Sequence, residues 1–481
     1  MTLAALLAVL LAAPARAAFY AAAGKADVTP DPAKETVWLA GYGAHGRRAQ
    51  GVHDPLMARA LVVSDGKTTV GFLAVDSIGL YRKDIEEIRR RSGLDGPHKF
   101  LFVGSTHDHS SPDTLGLWGR FLGVSGVEPE EHERLLKNSA DLVRETAGRL
   151  QEASLVAGRA DPFPGHLCRD SRDPVVIDPE LDALQVKARA GGTIGTLVRY
   201  SCHAEVLPPK NMLITADYPG ALCARVEAKE GGTCVFFQGT IGGLMTPDVD
   251  VSGPLPSDYK EMERVGDTLA DDAVKALAEG TRIASPEVSF SSRTILLPVE
   301  NSRYLLFLHA LTFGHTLRDA EGDPLPWWKA WTLTLRHLVF FPLPERLRPW
   351  VDSEVSLVRL GPVKVLGIPG ELFPELAIGG YDGSRRYGRP LVSPTNPNPP
   401  KLSEAPKPPY LRELMRARYG IIVGLAGDEV GYIIPRYDFQ AAPTRSMLPK
   451  PKGTHYEETN SIGPRAAGII VGAAEDLLKG G

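Results

Sequence analysis

Residues 58 to 75 read Ala-Arg-Ala-Leu-Val-Val-Ser-Asp-Gly-Lys-Thr-Thr-Val-Gly-Phe-Leu-Ala-Val, two β-rich runs on either side of the turn dipeptide Asp65-Gly66. This pattern predicts a β-hairpin. A charged stretch with helical spacing follows from Arg82 to Arg91, and a short apolar run follows from Lys99 to Val103. Because strands and helices alternate in this way on mixed scaffolds, we predict an α+β (mixed α/β) fold.

The rest of the chain repeats these signals. Two more pairs of β-rich runs surround Gly191-Gly192 and Gly361-Pro362 and predict further hairpins. Helices are expected over residues 218–229, 259–278 and 466–478, and strands over 234–237 and 421–425. The chain has no internal repeat and no Ser-, Gln- or Gly-rich linker. We therefore expect one large domain in which β-sheets made of hairpins are packed by helices, with the site on loops at strand ends.

Composition excludes several classes of protein. With 481 residues, of which 43% are apolar and 23% charged, the chain can bury a large core. This excludes a disordered, collagen-like or coiled-coil protein. The 54 basic and 58 acidic residues give a formal charge of −4, and no long run carries one sign. Nucleic-acid binding is therefore not expected.

The N-terminus and the cysteines bear on the cellular compartment. An apolar run from Leu3 to Ala13 is followed by Ala15-Arg16-Ala17, a pattern that suits signal peptidase. We expect a secretory signal peptide at residues 1–17 and a secreted or periplasmic protein, with a truncated start as the alternative. The four cysteines match no zinc-knuckle spacing and are equally compatible with disulfides or buried thiols. They are Cys168, Cys202, Cys223 and Cys234.

Residues that can perform chemistry recur just after predicted strand ends. The stretch Thr106-His107-Asp108-His109-Ser110-Ser111-Pro112 places two imidazoles on one side of an extended chain, within reach of one centre. His203 follows the second hairpin, and Glu371 follows a Pro-Gly corner. A zinc site needs about three N or O ligands and an open position, which these residues can supply. The histidine pair alone is a weak signal, because two ordinary surface histidines can have the same spacing.

Taken in order, the motifs of this chain resemble those of the neutral/alkaline non-lysosomal ceramidases, in their N-terminal catalytic domain. The resemblance runs from about Gly24 to Leu478 and includes the loop from Thr106 to Pro112. The other matching segments are Gly24-Lys-Ala-Asp-Val-Thr-Pro30, Gly51-Val-His-Asp-Pro-Leu-Met-Ala-Arg-Ala60, Cys202-His-Ala-Glu-Val-Leu207, Thr215-Ala-Asp-Tyr-Pro-Gly220, Pro369-Gly-Glu371 and Gly424-Leu-Ala-Gly-Asp-Glu-Val-Gly-Tyr432.

The resemblance implies a zinc-dependent amidohydrolase that cleaves the N-acyl amide bond of a ceramide-like lipid by attack of a zinc-bound water. Residues 18–481 would then form the zinc hydrolase domain. The implied Zn²⁺, one per chain, is held by His107, His203, Glu371 and Tyr432. The implied catalytic residues are His109 and Arg169, which contact the substrate or the forming oxyanion, and Thr246, which replaces a serine that engages the substrate headgroup.

Two departures from the family leave the substrate open. The segment from Gly242 to Pro247 reads Gly-Gly-Leu-Met-Thr-Pro, where the ceramidases have a Gly-Asp-x-Ser-Pro type of turn. The family's Ig-like C-terminal domain is not expected in this chain. The partner is therefore an N-acyl lipid or another small amide substrate. The alternative functions are a zinc hydrolase for a different amide or ester, and an exported non-catalytic binding protein that keeps the fold.

An aromatic-rich helical insert is predicted at about residues 301–350. It comprises the stretches from Tyr304 to Phe313 and from Trp327 to Phe341. Packing in the core, peripheral contact with a membrane surface and an oligomer interface all fit such a pattern. Its aromatic cluster consists of Trp327, Trp328, Trp331, Phe340 and Phe341.

Overall fold

The computed structural model of the chain describes most of residues 18–480. It leaves out Leu244, Trp327, Arg386, Gly388, Thr454, the segments 330–331, 334–335, 337–347 and 443–447, and the side chains of Leu305 and Leu306. The predicted signal peptide therefore lies outside the described residues. So do Trp327, Trp331, Phe340 and Phe341 of the predicted aromatic cluster.

The described residues form 23 strands and nine α-helices. The strands are β1 (Tyr20–Asp27), β2 (Trp38–Leu39), β3 (Arg47–Arg48), β4 (Gly51–Val52), β5 (Met57–Ser64), β6 (Thr69–Val75), β7 (Asp95–Gly96), β8 (Lys99–Ser105), β9 (Gln151–Ala160), β10 (Cys168–Asp170), β11 (Leu181–Ala188), β12 (Thr193–Tyr200), β13 (Leu213–Ile214), β14 (Thr233–Gln238), β15 (Met245–Pro247), β16 (Thr281–Ile283), β17 (Val288–Pro298), β18 (Leu317–Arg318), β19 (Trp350–Leu360), β20 (Val363–Gly367), β21 (Glu371–Leu372), β22 (Tyr419–Val423) and β23 (Tyr432–Ile433). The helices are α1 (Arg82–Ser92), α2 (Pro129–Ala147), α3 (Asp217–Glu230), α4 (Leu255–Ala278), α5 (Ser302–Leu306), α6 (Leu308–Gly314), α7 (Pro374–Ile378), α8 (Leu411–Leu414) and α9 (Ala466–Lys479).

Two sheets organise the molecule. The larger has ten strands, nine of them in the order β14-β12-β11-β9-β1-β5-β6-β8-β7, with β16 added beside β9. The smaller has five strands, in the order β17-β19-β20-β22 with β18 beside β19. All three predicted hairpins are confirmed, because β5 and β6, β11 and β12, and β19 and β20 pair antiparallel. The α+β prediction is confirmed as well.

The alternation of side chains along β5 explains how the sheets are packed. Leu61 and Val63 point into a core that also holds residues of the smaller sheet, such as Val365. Ala60 and Val62 point the other way, into a core shared with α1 and α2. Because both faces of β5 are buried, its sequence is a nearly continuous apolar run rather than an alternating one.

Helices cover the outer faces of both sheets. The helices α3 and α4 pack on the β11 and β12 region of the larger sheet, beside the area covered by α1 and α2. The helix α9 packs on β17 and β19 of the smaller sheet. The result is four layers, in the order helix, sheet, sheet, helix.

No helix in the described part of the chain is long and apolar enough to cross a bilayer. All four cysteines are buried and free.

Candidate active site

Four loops and strand ends bring the predicted metal ligands together. His107 follows β8 and His203 follows β12, both in the larger sheet. Glu371 and Tyr432 begin the short strands β21 and β23, which follow two strands of the smaller sheet. These two residues lie opposite each other in a parallel pair. The site therefore lies where the two sheets meet.

Backbone hydrogen bonds fix these loops relative to one another. The amide of His109 donates to the carbonyl of Ala204 (3.1 Å), which joins the two histidine loops. The amide of Glu371 donates to the carbonyl of Gly431 (3.1 Å), next to Tyr432. Because each contact pairs backbone atoms, the position of each functional side chain depends little on the rotamers of its neighbours.

The backbones approach so closely that one position tolerates only glycine. A Cβ atom added at Gly424 would lie 2.5 Å from the carbonyl oxygen of Gly239 and 3.1 Å from that of Gly370. Both neighbours are backbone atoms and cannot rotate away. Gly424 thus allows the loop that carries Tyr432 to pass against the loop that carries Glu371.

His107 and His203 are oriented in the same way. The Nδ1 of His107 lies 2.7 Å from the carbonyl oxygen of Ile78, and the Nδ1 of His203 lies 2.8 Å from that of Met245. A carbonyl can only accept, so each Nδ1 carries the proton and each Nε2 presents its lone pair. The two Nε2 atoms lie 3.7 Å and 3.0 Å from Oε2 of Glu371. This is the arrangement of metal-binding histidines, whose second nitrogen is held by a backbone carbonyl.

The protonation states favour the same interpretation. Burial lowers the pKa of His107 to about 4 and also lowers that of His203. Both imidazoles are therefore neutral at neutral pH, which is the form that binds metals. Burial raises the pKa of Glu371 to about 7. Two nitrogen lone pairs and a carboxylate oxygen that face one another repel unless a proton or a cation lies among them, so this donor set fits a metal such as zinc.

His109 belongs to the same cluster. One ring nitrogen from each of His107, His109 and His203 lies within 4.8 Å of the others, and this group could hold a metal ion. Neither ring nitrogen of His109 has a hydrogen-bond partner among the described residues, although Nδ1 lies 3.4 Å from a carboxylate oxygen of Glu205. The hydroxyl of Tyr432 lies 3.5 Å from Nε2 of His203 on the other side. His109 thus adjoins both anchored histidines, whereas Tyr432 adjoins His203.

A pocket of about 280 Å³ opens onto this cluster. The residues His107, His109, Glu371 and Tyr432 form its polar end. Arg303, Glu429, Thr459 and Asn460 also line the pocket, and most of the remaining wall is apolar. This wall contains Leu115, Leu117, Trp118, Leu122, Phe307, Ala310, Leu311 and Ile462. A pocket with this division suits a ligand that has one reactive polar group and an apolar chain.

The other predicted catalytic residues lie further away. Arg169 and Thr246 face each other across the β10–β15 pair. Arg169 is exposed and is not among the residues that line the pocket. Thr246 hydrogen-bonds the carboxylate of Glu205, which in turn approaches His109. The structure therefore connects Thr246 to the site through Glu205, and the role predicted for Arg169 stays a prediction.

Sequence reasoning missed several residues of the pocket. Glu429 is buried in the pocket wall, and its Oε2 has no hydrogen-bond partner in the described part of the chain. Arg303 also lines the pocket. Tyr456, which the sequence offered as one of two residues of its loop that could reach the pocket, does line it. Tyr42 packs edge-on against His109, with ring centroids 5.0 Å apart. For Glu429, the signal was the motif from Gly424 to Tyr432, which places two acidic residues close to a predicted ligand.

A buried ion cluster supports one side of the pocket. The guanidinium of Arg172 contacts carboxylates of Asp438 (2.5 Å), Glu457 (2.7 Å) and Glu458 (2.9 Å). Glu457 and Glu458 belong to a short 3₁₀ helix, Glu457–Asn460. Thr459 and Asn460 of that helix line the pocket. Arg172 thus holds part of the pocket wall without entering the pocket.

The raised pKa of Glu371 predicts a stability change in the metal-free protein. A folded pKa of about 7 against about 4.3 in the unfolded chain means that ionisation of Glu371 opposes folding by roughly 4 kcal/mol above pH 7. This penalty disappears as the pH falls towards the unfolded value. We expect Glu371→Gln, dialysed against chelator, to unfold at a higher urea concentration than the wild type at pH 8 and at an equal one near pH 4.5. The control is Glu152→Gln, which changes an exposed carboxylate. Equal urea midpoints for Glu371→Gln and the wild type at pH 8 would contradict the burial argument.

Comparisons with known proteins agree with the motifs. No protein-family model matches the chain. The neutral ceramidase of Mycobacterium tuberculosis (strain ATCC 25618 / H37Rv) is 24% identical over 419 residues, covering 72% of this chain and 64% of that protein. The chain thus spans less than two thirds of the length of this relative. The crystal structure of neutral ceramidase from Pseudomonas aeruginosa matches 96% of this chain and 74% of its own, with a TM-score of 0.66 and 16% identity.

A second solved structure, a ceramidase complexed with C2, gives the same TM-score of 0.66 at 15% identity and covers 96% of this chain and 75% of its own. These matches include nearly all of the described elements, so the similarity is one of the whole fold and not of a local motif. Sequence and fold together confirm the resemblance of this chain to the neutral ceramidase family.

Proposed function

We propose that this protein is a zinc-dependent amidohydrolase that cleaves the N-acyl amide bond of a ceramide-like lipid. The observation that carries the proposal is the pair of histidines, His107 and His203, whose carbonyl-anchored rings direct both Nε2 atoms at Glu371. His107 and Glu371 of this donor set line a pocket whose remaining wall is mostly apolar. The similarity to neutral ceramidases supports the choice of reaction and substrate.

The residues expected to hold the zinc are His107, His203, Glu371 and Tyr432. When bound, zinc supplies a Lewis acid for the amide carbonyl and lowers the pKa of water to about 7. The chain itself binds and orients the substrate. The apolar wall holds the acyl chain and excludes bulk water, which strengthens electrostatic interactions at the polar end.

His109 is the residue expected to handle the proton or the developing negative charge. Its neutral ring lies beside the anchored histidines, and Glu205 lies 3.4 Å from its Nδ1. A neutral imidazole whose Nδ1–H faces a carboxylate has a lone pair on Nε2, which can take up a proton. The imidazolium formed in this way can then donate a hydrogen bond to an oxyanion or pass the proton to a leaving amine. Thr246 is expected to act on the substrate only through Glu205.

Replacing His109 by alanine tests whether this residue transfers a proton or binds the metal. We expect His109→Ala to keep about one metal ion per chain, while kcat falls by about 10²- to 10³-fold because a proton-transfer group is lost. Elemental analysis and steady-state kinetics of the same preparation measure both quantities. Loss of the metal together with the activity would instead make His109 a ligand, as the three-histidine cluster also permits.

The proposed reaction is tested by release of a sphingoid base from a short-chain fluorescent ceramide. Chelation should abolish the release, and added zinc should restore it. A second candidate is favoured by the placement of Thr246, which does not line the pocket. That candidate is a zinc hydrolase for a different amide or ester. Hydrolysis of simpler N-acyl amides without turnover of the ceramide would favour it, and metal binding without any hydrolysis would favour a binding protein.

The aromatic-rich segment is proposed to admit the acyl chain. Its first part, α5 and α6, supplies Phe307, Ala310 and Leu311 to the pocket wall. Trp328 is exposed, and the ammonium of Lys329 lies over its ring at 5.8 Å from the centroid. Peripheral membrane contact through residues 301–350 is part of this proposal.

Export to the periplasm or medium is proposed because residues 1–17 resemble a signal peptide, and N-terminal sequencing of the mature protein tests it.

A further inference from the structure

The loop formed by residues 118–125 exposes three large apolar side chains within four residues. Phe121 is 61% exposed, Leu122 63% and Val124 47%. These side chains form the densest cluster of exposed large hydrophobic residues in the described part of the chain. Clustered exposure of this kind is costly in water and marks surfaces that bind another apolar surface.

The 118–125 loop lies at the mouth of the pocket. Trp118 and Leu122 line the pocket, and Leu122 is at the same time exposed to solvent. The loop adjoins α5 and α6 through Gly123, which lies near the ring of Phe307. The carbonyl of Gly116, just before the loop, accepts a hydrogen bond from Nε2 of His309 (2.9 Å). The exposed apolar surface is therefore continuous with the apolar pocket wall.

The two segments beside the mouth of the pocket, residues 115–127 and 301–318, form a rim whose charged residues are all basic, although the net charge of the whole chain is negative. Neither residues 115–127 nor residues 301–318 contain an aspartate or a glutamate. Arg120 is exposed and lies over the ring of Phe121 (5.2 Å), and Arg303 lies over the ring of Phe307 (5.8 Å). A basic head on an apolar stem beside an aromatic ring is suited to the headgroup region of a membrane. Anionic lipid complements this rim.

We propose that the 118–125 loop docks the protein on a lipid bilayer that carries anionic headgroups. Phe121, Leu122 and Val124 enter the boundary between headgroups and acyl chains, Arg120 contacts lipid phosphates or carboxylates, and the pocket opens towards the bilayer. A lipid substrate then enters along an unbroken apolar path. The proposal rests on the proposed function for its purpose, whereas the docking itself requires no catalysis.

The test measures binding of the full chain to vesicles that contain no substrate. One set of vesicles is phosphatidylcholine, and the other is four parts phosphatidylcholine to one part phosphatidylserine. The variant Phe121→Ser with Val124→Ser changes two loop residues that do not line the pocket. Its matched control is Phe163→Ser with Val52→Ser, a second Phe and Val pair that is 72% and 44% exposed and lies outside the pocket.

We expect the loop variant to bind the mixed vesicles about tenfold or more weakly than the wild type, because it loses two inserted side chains. The control variant should bind as the wild type does. Arg120→Gln should lose about fivefold on the mixed vesicles only. The melting temperature and hydrolysis of a soluble short-chain amide should be unchanged in the loop variant, since both side chains are exposed.

Three results would overturn the docking proposal. The first is a wild type that binds neither kind of vesicle, and the second is a control variant that loses as much binding as the loop variant. The third is a wild type that does not bind vesicles but forms a concentration-dependent dimer, which the loop variant no longer forms. The last result would make a second copy of the chain the partner of this surface. Vesicle binding by a protein without amidase activity would uphold the docking and refute the proposed function, so the two proposals fail separately.

Discussion

His203→Ala is expected to empty the proposed zinc site and to lower the rate of amide hydrolysis by about 10³-fold or more. A catalytic metal contributes several kcal/mol of transition-state stabilisation, and each 1.36 kcal/mol is a factor of ten in rate. His203 is the most constrained of the proposed ligands, because its amide and its Nδ1 both contact the carbonyl of Met245. Metal content by elemental analysis and kcat/KM on the fluorescent ceramide are the measurements.

The matched control is His98→Ala, which removes an exposed histidine at the opposite end of β8 from His107. It should retain metal and activity. Circular dichroism is the check that His203→Ala remains folded. Metal retained at about one ion per chain in a folded His203→Ala protein would remove His203 from the ligand set, and full activity in that protein would refute the metal mechanism altogether.

Arg172→Met is expected to destabilise the protein by roughly 3 to 5 kcal/mol, because it leaves buried carboxylates without their cation. The guanidinium of Arg172 contacts three of them and is itself buried. Urea denaturation at pH 7 measures the loss. The loss should shrink at lower pH, since protonation removes the unpaired charges, and this direction is the opposite of that expected for a simple cavity.

An exposed ion pair provides the comparison for this variant. Arg189 contacts Glu152 at 2.6 Å, and both side chains are exposed. Arg189→Met should therefore change the free energy of unfolding by less than about 1 kcal/mol. If Arg172→Met costs no more than Arg189→Met, the buried cluster is not a determinant of stability, and another explanation is needed for the position of the 3₁₀ helix beside the pocket.

Local sequence patterns predicted the elements that carry their own signal. The hairpin of β5 and β6 has a turn dipeptide between two apolar runs, and α1 has helical spacing, so both were predicted nearly to the residue. The strand β1 was not predicted. Its sequence, Tyr-Ala-Ala-Ala-Gly-Lys-Ala-Asp, has little intrinsic β-propensity, and it is a strand because it pairs with β5 along its whole length.

Local sequence patterns were also insufficient to predict the whole site. The histidine pair identified a candidate centre, but spacing could not place Glu371 and Tyr432 beside it, because these residues are separated from His107 by most of the chain. Positions after strand ends suggested His203 and Glu371 as partners of His107, and only the family resemblance added Tyr432 as a ligand. The structure brings these four residues together. Arg172 and its carboxylates, which lie more than 260 positions apart, had no local signal of any kind.

The dispersion of the site along the chain constrains the order in which it can assemble. His107 and His203 are held by the larger sheet, whereas Glu371 and Tyr432 are joined in a ribbon beyond the smaller one. Contacts between such distant residues form late, because the intervening chain must first lose its conformational freedom. Residue 432 of 481 must be synthesised and paired before the donor set is complete. Metal capture is thus expected to be a final step of maturation, and a nascent chain that carries only the histidines would hold the ion weakly.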